Sequence, residues 1–191
     1  MTNTKCWLER ASAWSFASLA LQLPDAQKIG EMTALISSLP ADVRPIAAGI
    51  AATPLDDWEP EYFSVLGPGG CPASESSYER AAMASRGPIC ADVAGFYRAF
   101  AYAPDIREVP DHAAIEFGFI AYLALKTAFA LHDDQNDAAR VTEAAYDSFV
   151  ATHLKGWLDG LCSGLTDSGS DLFAATAQYL TVLSATPRVV T

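Results

Sequence analysis

The longest apolar segment of the chain is HAAIEFGFIAYLALKTAFAL, residues 112–131. Apolar side chains occupy nearly every face of a helix drawn through it, which predicts a central helix buried on all sides. The apolar run from Ile115 to Leu131 is interrupted by Glu116 and Lys126 and is short for a membrane span, which needs about 20 residues. The stretch is therefore predicted to be a core helix, in a protein with no integral membrane segment.

Three polar residues at the start of this helix suggest two kinds of site. Asp111 can accept hydrogen bonds from the free N–H groups of the first turn, which predicts that it is the N-cap. His112 and Glu116 are four residues apart and share a face of the helix. Together with His153 they could ligate a metal, so a small helical metal-binding protein or enzyme is an alternative. An isolated pair at this spacing is a weak signal, and His153 alone is more typical of a hydrogen-bonded core histidine.

Helical periodicity dominates the rest of the chain, and alternating strand patterns are scarce. Glycine and proline predict loops over 67–72 and 103–111, with a turn or two of helix over 54–63. The remaining patterns predict an all-α, single-domain helical bundle of about eight or nine helices over residues 1–191. The other predicted helices lie near 5–22, 26–38, 42–52, 75–85, 90–101, 136–162 and 171–183.

The N-terminal stretch after Cys6 has features of both a signal peptide and a helix. Basic residues precede an apolar segment, as in a secretory signal, but Glu9 lies in the would-be basic region. Apolar residues also recur at helical spacing, which favours a first helix ended by Pro24 and a cytoplasmic protein. The residues that carry this spacing are Trp7, Ala11, Trp14, Ala17 and Leu21.

The composition restricts the class of partner. The chain contains 23 acidic and 12 basic residues, for a formal charge of −11, which disfavours nucleic acid and anionic lipid as ligands. Only 18% of the residues are charged, as expected for a large core or an apolar groove. The cysteines lack zinc-finger spacing, so free thiols in a reducing compartment are predicted. They are Cys6, Cys71, Cys90 and Cys162.

Acidic and aromatic residues alternate in the stretch that precedes the glycine-rich loop. The segment 55–66 carries four acids and no base, interleaved with or followed by Trp58, Tyr62, Phe63 and Leu66. Such a stretch is either a solvated helix face or a surface for a partner that is both basic and apolar. The sequence leaves both interpretations open at this point.

Five segments, in this order, together resemble one known family. They are RASAWSFASLALQLPD (10–25), EYFSVLGPGGCPASESSY (61–78), FYRAF (96–100), PDHAAIEFGFIAYL (110–123) and FVATHLKGWLDGL (149–161). Each resembles a segment of the TorD/DmsD family of redox-enzyme maturation chaperones, and the segment with the Asp-His pair is the most specific. The resemblance covers most of the chain.

The resemblance implies a cytoplasmic, all-helical chaperone without catalytic activity, cofactor or nucleic-acid ligand. Its partners would be the precursor of a molybdenum-containing catalytic subunit of the DMSO reductase family and that precursor's twin-arginine signal peptide. A homodimer, including one formed by exchange of helices, is also known in the family. Carried over position by position, the client-binding residues would be Tyr62, Leu66, Gly67, Pro68, Ser76, Tyr78, Asp111, His112 and Glu116. This chain has Ala73, Ser74 and Glu75 where some members carry an aromatic residue.

Overall fold

The structure, a computed structural model, describes residues 2–79 and 82–185 and consists of helices joined by short loops. Within those residues there are nine α-helices and no strand, so the all-α prediction is confirmed. Two short 3₁₀ helices, Ile36–Ser38 and Glu75–Tyr78, complete the secondary structure. The α-helices are α1 (Thr2–Ala20), α2 (Ala26–Leu35), α3 (Arg44–Ala51), α4 (Leu55–Leu66), α5 (Ala82–Ala99), α6 (Ala113–His132), α7 (Asn136–His153), α8 (Leu158–Thr166) and α9 (Asp171–Ala185).

Helix α6 is the centre of the core, as its apolar pattern predicts. α1 and α7 make the most extensive contacts with it, and aromatic rings such as Phe117 and Phe119 on α6 are completely buried. The helix is long and apolar enough to cross a membrane by length and composition alone, but 61% of its most apolar window is buried inside the fold. A core helix of a globular protein has the same properties.

Helix α1 closes one side of the core and is tied to two later helices by buried hydrogen bonds. Trp14 donates through Nε1 to the hydroxyl of Tyr146 on α7, at 3.0 Å. Tyr179 on α9 donates through its hydroxyl to the carbonyl of Ala13, at 2.9 Å. The predicted apolar face of this helix is buried from Trp7 to Leu21, which confirms the helix.

The region 75–101 differs from its predicted division into two helices. Residues 75–78 form only a 3₁₀ turn, and α5 runs through Pro88 from Ala82 to Ala99. Proline removes one helical hydrogen bond, which usually ends a helix. Both Pro88 and Ala84, whose carbonyl loses that bond, are exposed, so water can take its place.

The helix predicted over 136–162 is interrupted in the structure, and that over 54–63 is longer than predicted. α7 ends at His153 and α8 begins at Leu158, because Trp157 donates through Nε1 to the carbonyl of His153 and Gly156 favours a break. α4 extends from Leu55 to Leu66, three turns rather than one or two. These differences bring His153 to a helix end beside the site described next.

Candidate functional site

Two distant segments meet at the start of α6 and form what we term the Asp-His junction, residues 73–76 and 111–113. An antiparallel bridge pairs Ser74 with His112. The N–H of Glu75 donates to the carbonyl of Asp111 at 2.9 Å, and the N–H of Ala113 donates to the carbonyl of Ala73 at 2.7 Å. The junction therefore fixes the loop after α4 against the N-terminus of the central helix.

Asp111 holds the junction together from the inside and does not cap the helix. Its side chain is completely buried, and its carboxylate accepts from the N–H of Ser76 and from the thiol of Cys90, both at 3.1 Å. The N-cap is His112, whose Nδ1 accepts from the N–H of Ala114 at 3.2 Å. The predicted cap at Asp111 is wrong, because pairing with Ser74 keeps His112 extended and moves the start of the helix by one residue.

His112 and Tyr62 line the same small cavity, as the predicted client-binding site requires. The cavity has a volume of about 220 Å³ and is also lined by Leu21, Leu23 and Ile106. Pockets for whole small molecules occupy about 300–1,000 Å³, so this one suits a side chain or a short segment of chain. We refer to it as the Tyr62–His112 cavity.

The electrostatics of this cavity favour an uncharged imidazole and an uncharged phenol. Burial lowers the pKa of His112, although the negative charges of Glu108 and Asp111 oppose the shift. Burial, followed by the charge of Glu108, raises the pKa of Tyr62. Because Nδ1 of His112 accepts from Ala114, the proton of the neutral ring lies on Nε2.

Four other predicted residues lie away from the Tyr62–His112 cavity. Tyr78 stacks on Trp157 with ring centroids 5.9 Å apart and donates to the carbonyl of Pro72 at 2.6 Å. Leu66 packs partly buried against the core, and Gly67 and Pro68 follow it in the loop after α4. Their predicted role in client binding stays a prediction.

Gly67 has a structural reason to be glycine. A Cβ atom at this position would lie 2.1 Å from the carbonyl oxygen of Phe63, a backbone atom that cannot turn aside. The residue thus lets the chain leave α4 at a sharp angle and return toward the junction. The predicted loop over 67–72 is confirmed.

Glu116 lies behind the junction in a buried chain of polar groups. It is completely buried, and among the residues that the structure describes neither carboxylate oxygen has a hydrogen-bond partner of normal geometry. Burial raises its pKa well above the usual value, and the nearby carboxylate of Glu75 raises it further. These surroundings favour the neutral form of Glu116, and its predicted role in client binding stays a prediction.

The chain of polar groups continues from Glu75 through His153 to the surface. Oε2 of Glu75 lies 3.0 Å from Nδ1 of His153, and both side chains are buried. Nε2 of His153 lies 3.2 Å from Oδ2 of Asp92, whose side chain is 64% exposed. The prediction of a buried, hydrogen-bonded His153 is confirmed, whereas Glu75 and Asp92 carried no sequence signal that marks them.

The alternative metal site does not assemble in the structure. The imidazole of His112 caps α6, Glu116 is sealed behind the junction, and His153 is bonded to Glu75. Across residues 2–79 and 82–185, no group of three or more histidine, cysteine, aspartate or glutamate side chains could hold a metal ion. All four cysteines are free and partly buried.

Comparison with known proteins identifies the family. The family model for the nitrate reductase delta subunit matches residues 32–163. The chain belongs to this family. The nitrate reductase delta subunit family includes TorD-like proteins, so the resemblance to TorD/DmsD chaperones is confirmed.

Two curated relatives are each 36% identical to this chain over 104 residues. They are the chlorate reductase assembly chaperone protein of Ideonella dechloratans and the selenate reductase assembly chaperone protein of Thauera selenatis. The chain spans about half the length of these relatives, 53% in each case.

A crystal structure from Archaeoglobus fulgidus, described as a redox enzyme maturation protein, has the same fold. The superposition covers 91% of this chain and 93% of that chain, with a TM-score of 0.61. The two sequences are 16% identical, so the likeness concerns the fold alone. This likeness supports the helical architecture of the chain.

Proposed function

We propose that this protein is a cytoplasmic assembly chaperone for the catalytic subunit of a molybdenum-containing reductase of the DMSO reductase family. It binds the unassembled subunit and its twin-arginine signal peptide, and assists cofactor insertion before export. Membership of the family supports this proposal, as do two relatives named as assembly chaperones for chlorate and selenate reductases.

The observation that carries the proposal is the Tyr62–His112 cavity beside exposed apolar side chains. Leu23, which lines the cavity, is 45% exposed, and Phe63, whose ring lies 5.7 Å from that of Tyr62, is 54% exposed. Exposed apolar groups around a polar concave site are typical of protein interaction surfaces. This arrangement suits the apolar stretch of a signal peptide.

His112 supplies the polar contact in this proposal. In its neutral form the imidazole keeps Nδ1 as the acceptor for the helix cap and offers the N–H at Nε2. An extended peptide carries a backbone carbonyl at every residue, and such a carbonyl can accept that hydrogen bond. The ring thus recognises an unfolded chain without requiring a particular side chain.

The residues at the Tyr62–His112 cavity and the Asp-His junction suit binding of a partner rather than catalysis. The imidazole that a general base would need is occupied as a cap, and the carboxyl of Glu116 is enclosed by the fold. The formal charge of −11 attracts a basic segment over a distance, which increases the rate of encounter. We therefore assign the protein a chaperone role without turnover.

Isolation of the tagged protein from the cells that make it tests this function. We expect the precursor of a molybdenum-containing catalytic subunit, with its signal peptide uncleaved, to co-purify in a defined ratio. His112→Asn, which retains a helix cap, should lower the yield of that precursor. Co-purification of no reductase subunit would refute the proposed function.

A further inference from the structure

A second cavity borders the Asp-His junction at Glu75, between α5, α7 and the 3₁₀ turn, and we term it the α5–α7 groove. Its volume is about 610 Å³, within the range of sites that hold a ligand of several side chains. Glu75, Glu79 and Asp92 line it, and among the described residues no lysine or arginine does. Arg86 lies on the same helix but outside the lining.

The floor of the groove contains a buried imidazole nitrogen, Nε2 of His153, that receives no hydrogen bond from the described residues. His153 is 2% exposed, and Nδ1 is already engaged by Glu75. Nε2 is buried and, within residues 2–79 and 82–185, makes no hydrogen bond of normal geometry, although Oδ2 of Asp92 lies 3.2 Å away. When the ring holds its proton on Nδ1, Nε2 and the Asp92 carboxylate are two adjacent acceptors, and an N–H donor from a ligand would satisfy both.

A guanidinium fits these groups better than other cations. It presents five N–H donors in a planar fork, so one arginine can reach two acceptors at once. It is also weakly hydrated and packs its flat face against apolar surface. Pro88 and Ile89 supply such a surface along one wall of the groove.

We propose that the α5–α7 groove binds the adjacent arginines of the client's signal peptide. Asp92 and Glu79 pair with the guanidinium groups, and Pro88 and Ile89 pack against the side-chain stems. The inference rests on the proposed function, and it assigns the arginines to a different surface from the apolar stretch held by the Tyr62–His112 cavity.

Because the Asp-His junction borders both surfaces, one peptide can place its arginines in the α5–α7 groove and its apolar stretch in the Tyr62–His112 cavity. The side chain of Glu75 lines the α5–α7 groove, and its backbone N–H donates to the carbonyl of Asp111. His112, which follows Asp111 in the sequence, lines the Tyr62–His112 cavity. The two binding surfaces are thus separated by one pair of hydrogen-bonded chain segments. A short extended peptide can cross that distance, since each residue adds about 3.3 Å.

Fluorescence anisotropy with a labelled peptide, two adjacent arginines followed by a run of leucine and alanine, tests the groove. We expect wild type to bind it and Asp92→Asn/Glu79→Gln to bind about tenfold more weakly, the loss expected for two partly exposed ion pairs. Asp133→Asn/Asp134→Asn removes the same charge at the far end of α6. This control should bind within about twofold of wild type, because salt screens distant charges.

A peptide with glutamines in place of the arginines completes a double-mutant cycle. It should bind wild type and the Asp92→Asn/Glu79→Gln variant equally weakly. The groove proposal is overturned if wild type does not bind the arginine peptide, if the groove variant binds like wild type, or if the Asp133→Asn/Asp134→Asn control loses as much affinity. Co-purification of the reductase precursor together with wild-type affinity in the Asp92→Asn/Glu79→Gln variant would overturn the groove and leave the proposed function standing, so the two proposals fail separately.

Discussion

The carboxylate of Glu75 lies 3.0 Å from Nδ1 of His153, although 78 residues separate them in the sequence. Both side chains are buried, so each depends on the other for a hydrogen bond. The contact joins the 3₁₀ turn of the Asp-His junction to the end of α7. Both residues line the α5–α7 groove, and Glu75 also belongs to the junction that borders the Tyr62–His112 cavity.

Replacement of His153 by alanine should lower stability more than it lowers client affinity. It leaves the Glu75 carboxylate buried without its partner, and loss of one member of a buried pair costs about 3–5 kcal/mol. Urea denaturation should show this loss, whereas titration with the arginine peptide should show a change of less than about tenfold, or 1.4 kcal/mol. Unchanged stability together with lost binding would show that His153 acts mainly in peptide recognition rather than in the fold.

Replacement of Glu116 by glutamine should remove a pH dependence of stability. The folded-state pKa of Glu116 is raised by burial and by Glu75, so its contribution to the free energy of unfolding is fully present below the unfolded pKa of about 4.3. That contribution is lost as pH rises through the folded pKa. Glu116→Gln should therefore gain stability relative to wild type with rising pH.

Urea denaturation of both proteins from about pH 4 to pH 8 measures this difference. Asp133→Asn is the control, because it alters an exposed acid at the other end of α6 and should follow wild type. A constant difference between wild type and Glu116→Gln across this range would show that Glu116 does not titrate as its surroundings indicate.

Asp111 should contribute to stability through the N–H of Ser76. Asp111→Ala leaves that buried donor without an acceptor, which costs about 1–3 kcal/mol. Asp111→Asn retains one oxygen for Ser76 and should lose less. Thermal unfolding compares the two variants, and equal losses would mean that the charge of Asp111, rather than its hydrogen bond to Ser76, holds the junction.

His112→Asn should separate the cap of α6 from recognition of the client. Asparagine is a strong N-cap, so the melting temperature should stay near that of wild type. Loss of the Nε2 donor should weaken peptide binding about fivefold, the value of one neutral hydrogen bond of about 1 kcal/mol. Wild-type affinity in this variant would remove His112 from the binding surface.

The central helix was predictable because its signal is local, whereas the contacts of the site depend on distant segments. The apolar residues around α6 indicate burial without knowledge of their partners. Asp111 has the local pattern of an N-cap, but the N–H of Ser76 approaches from another part of the chain and takes its carboxylate. The partnership of Glu75 with His153 has no local pattern, so no sequence argument could find it.

A role in reductase assembly should be visible in the molybdenum content of the client subunit. The catalytic subunit that co-purifies with this protein would be isolated from cells with and without the chaperone, and its molybdenum measured per polypeptide. We predict a severalfold lower molybdenum content without the chaperone, restored when the wild-type protein is supplied. Equal molybdenum content in the two preparations would contradict a role in assembly of the reductase.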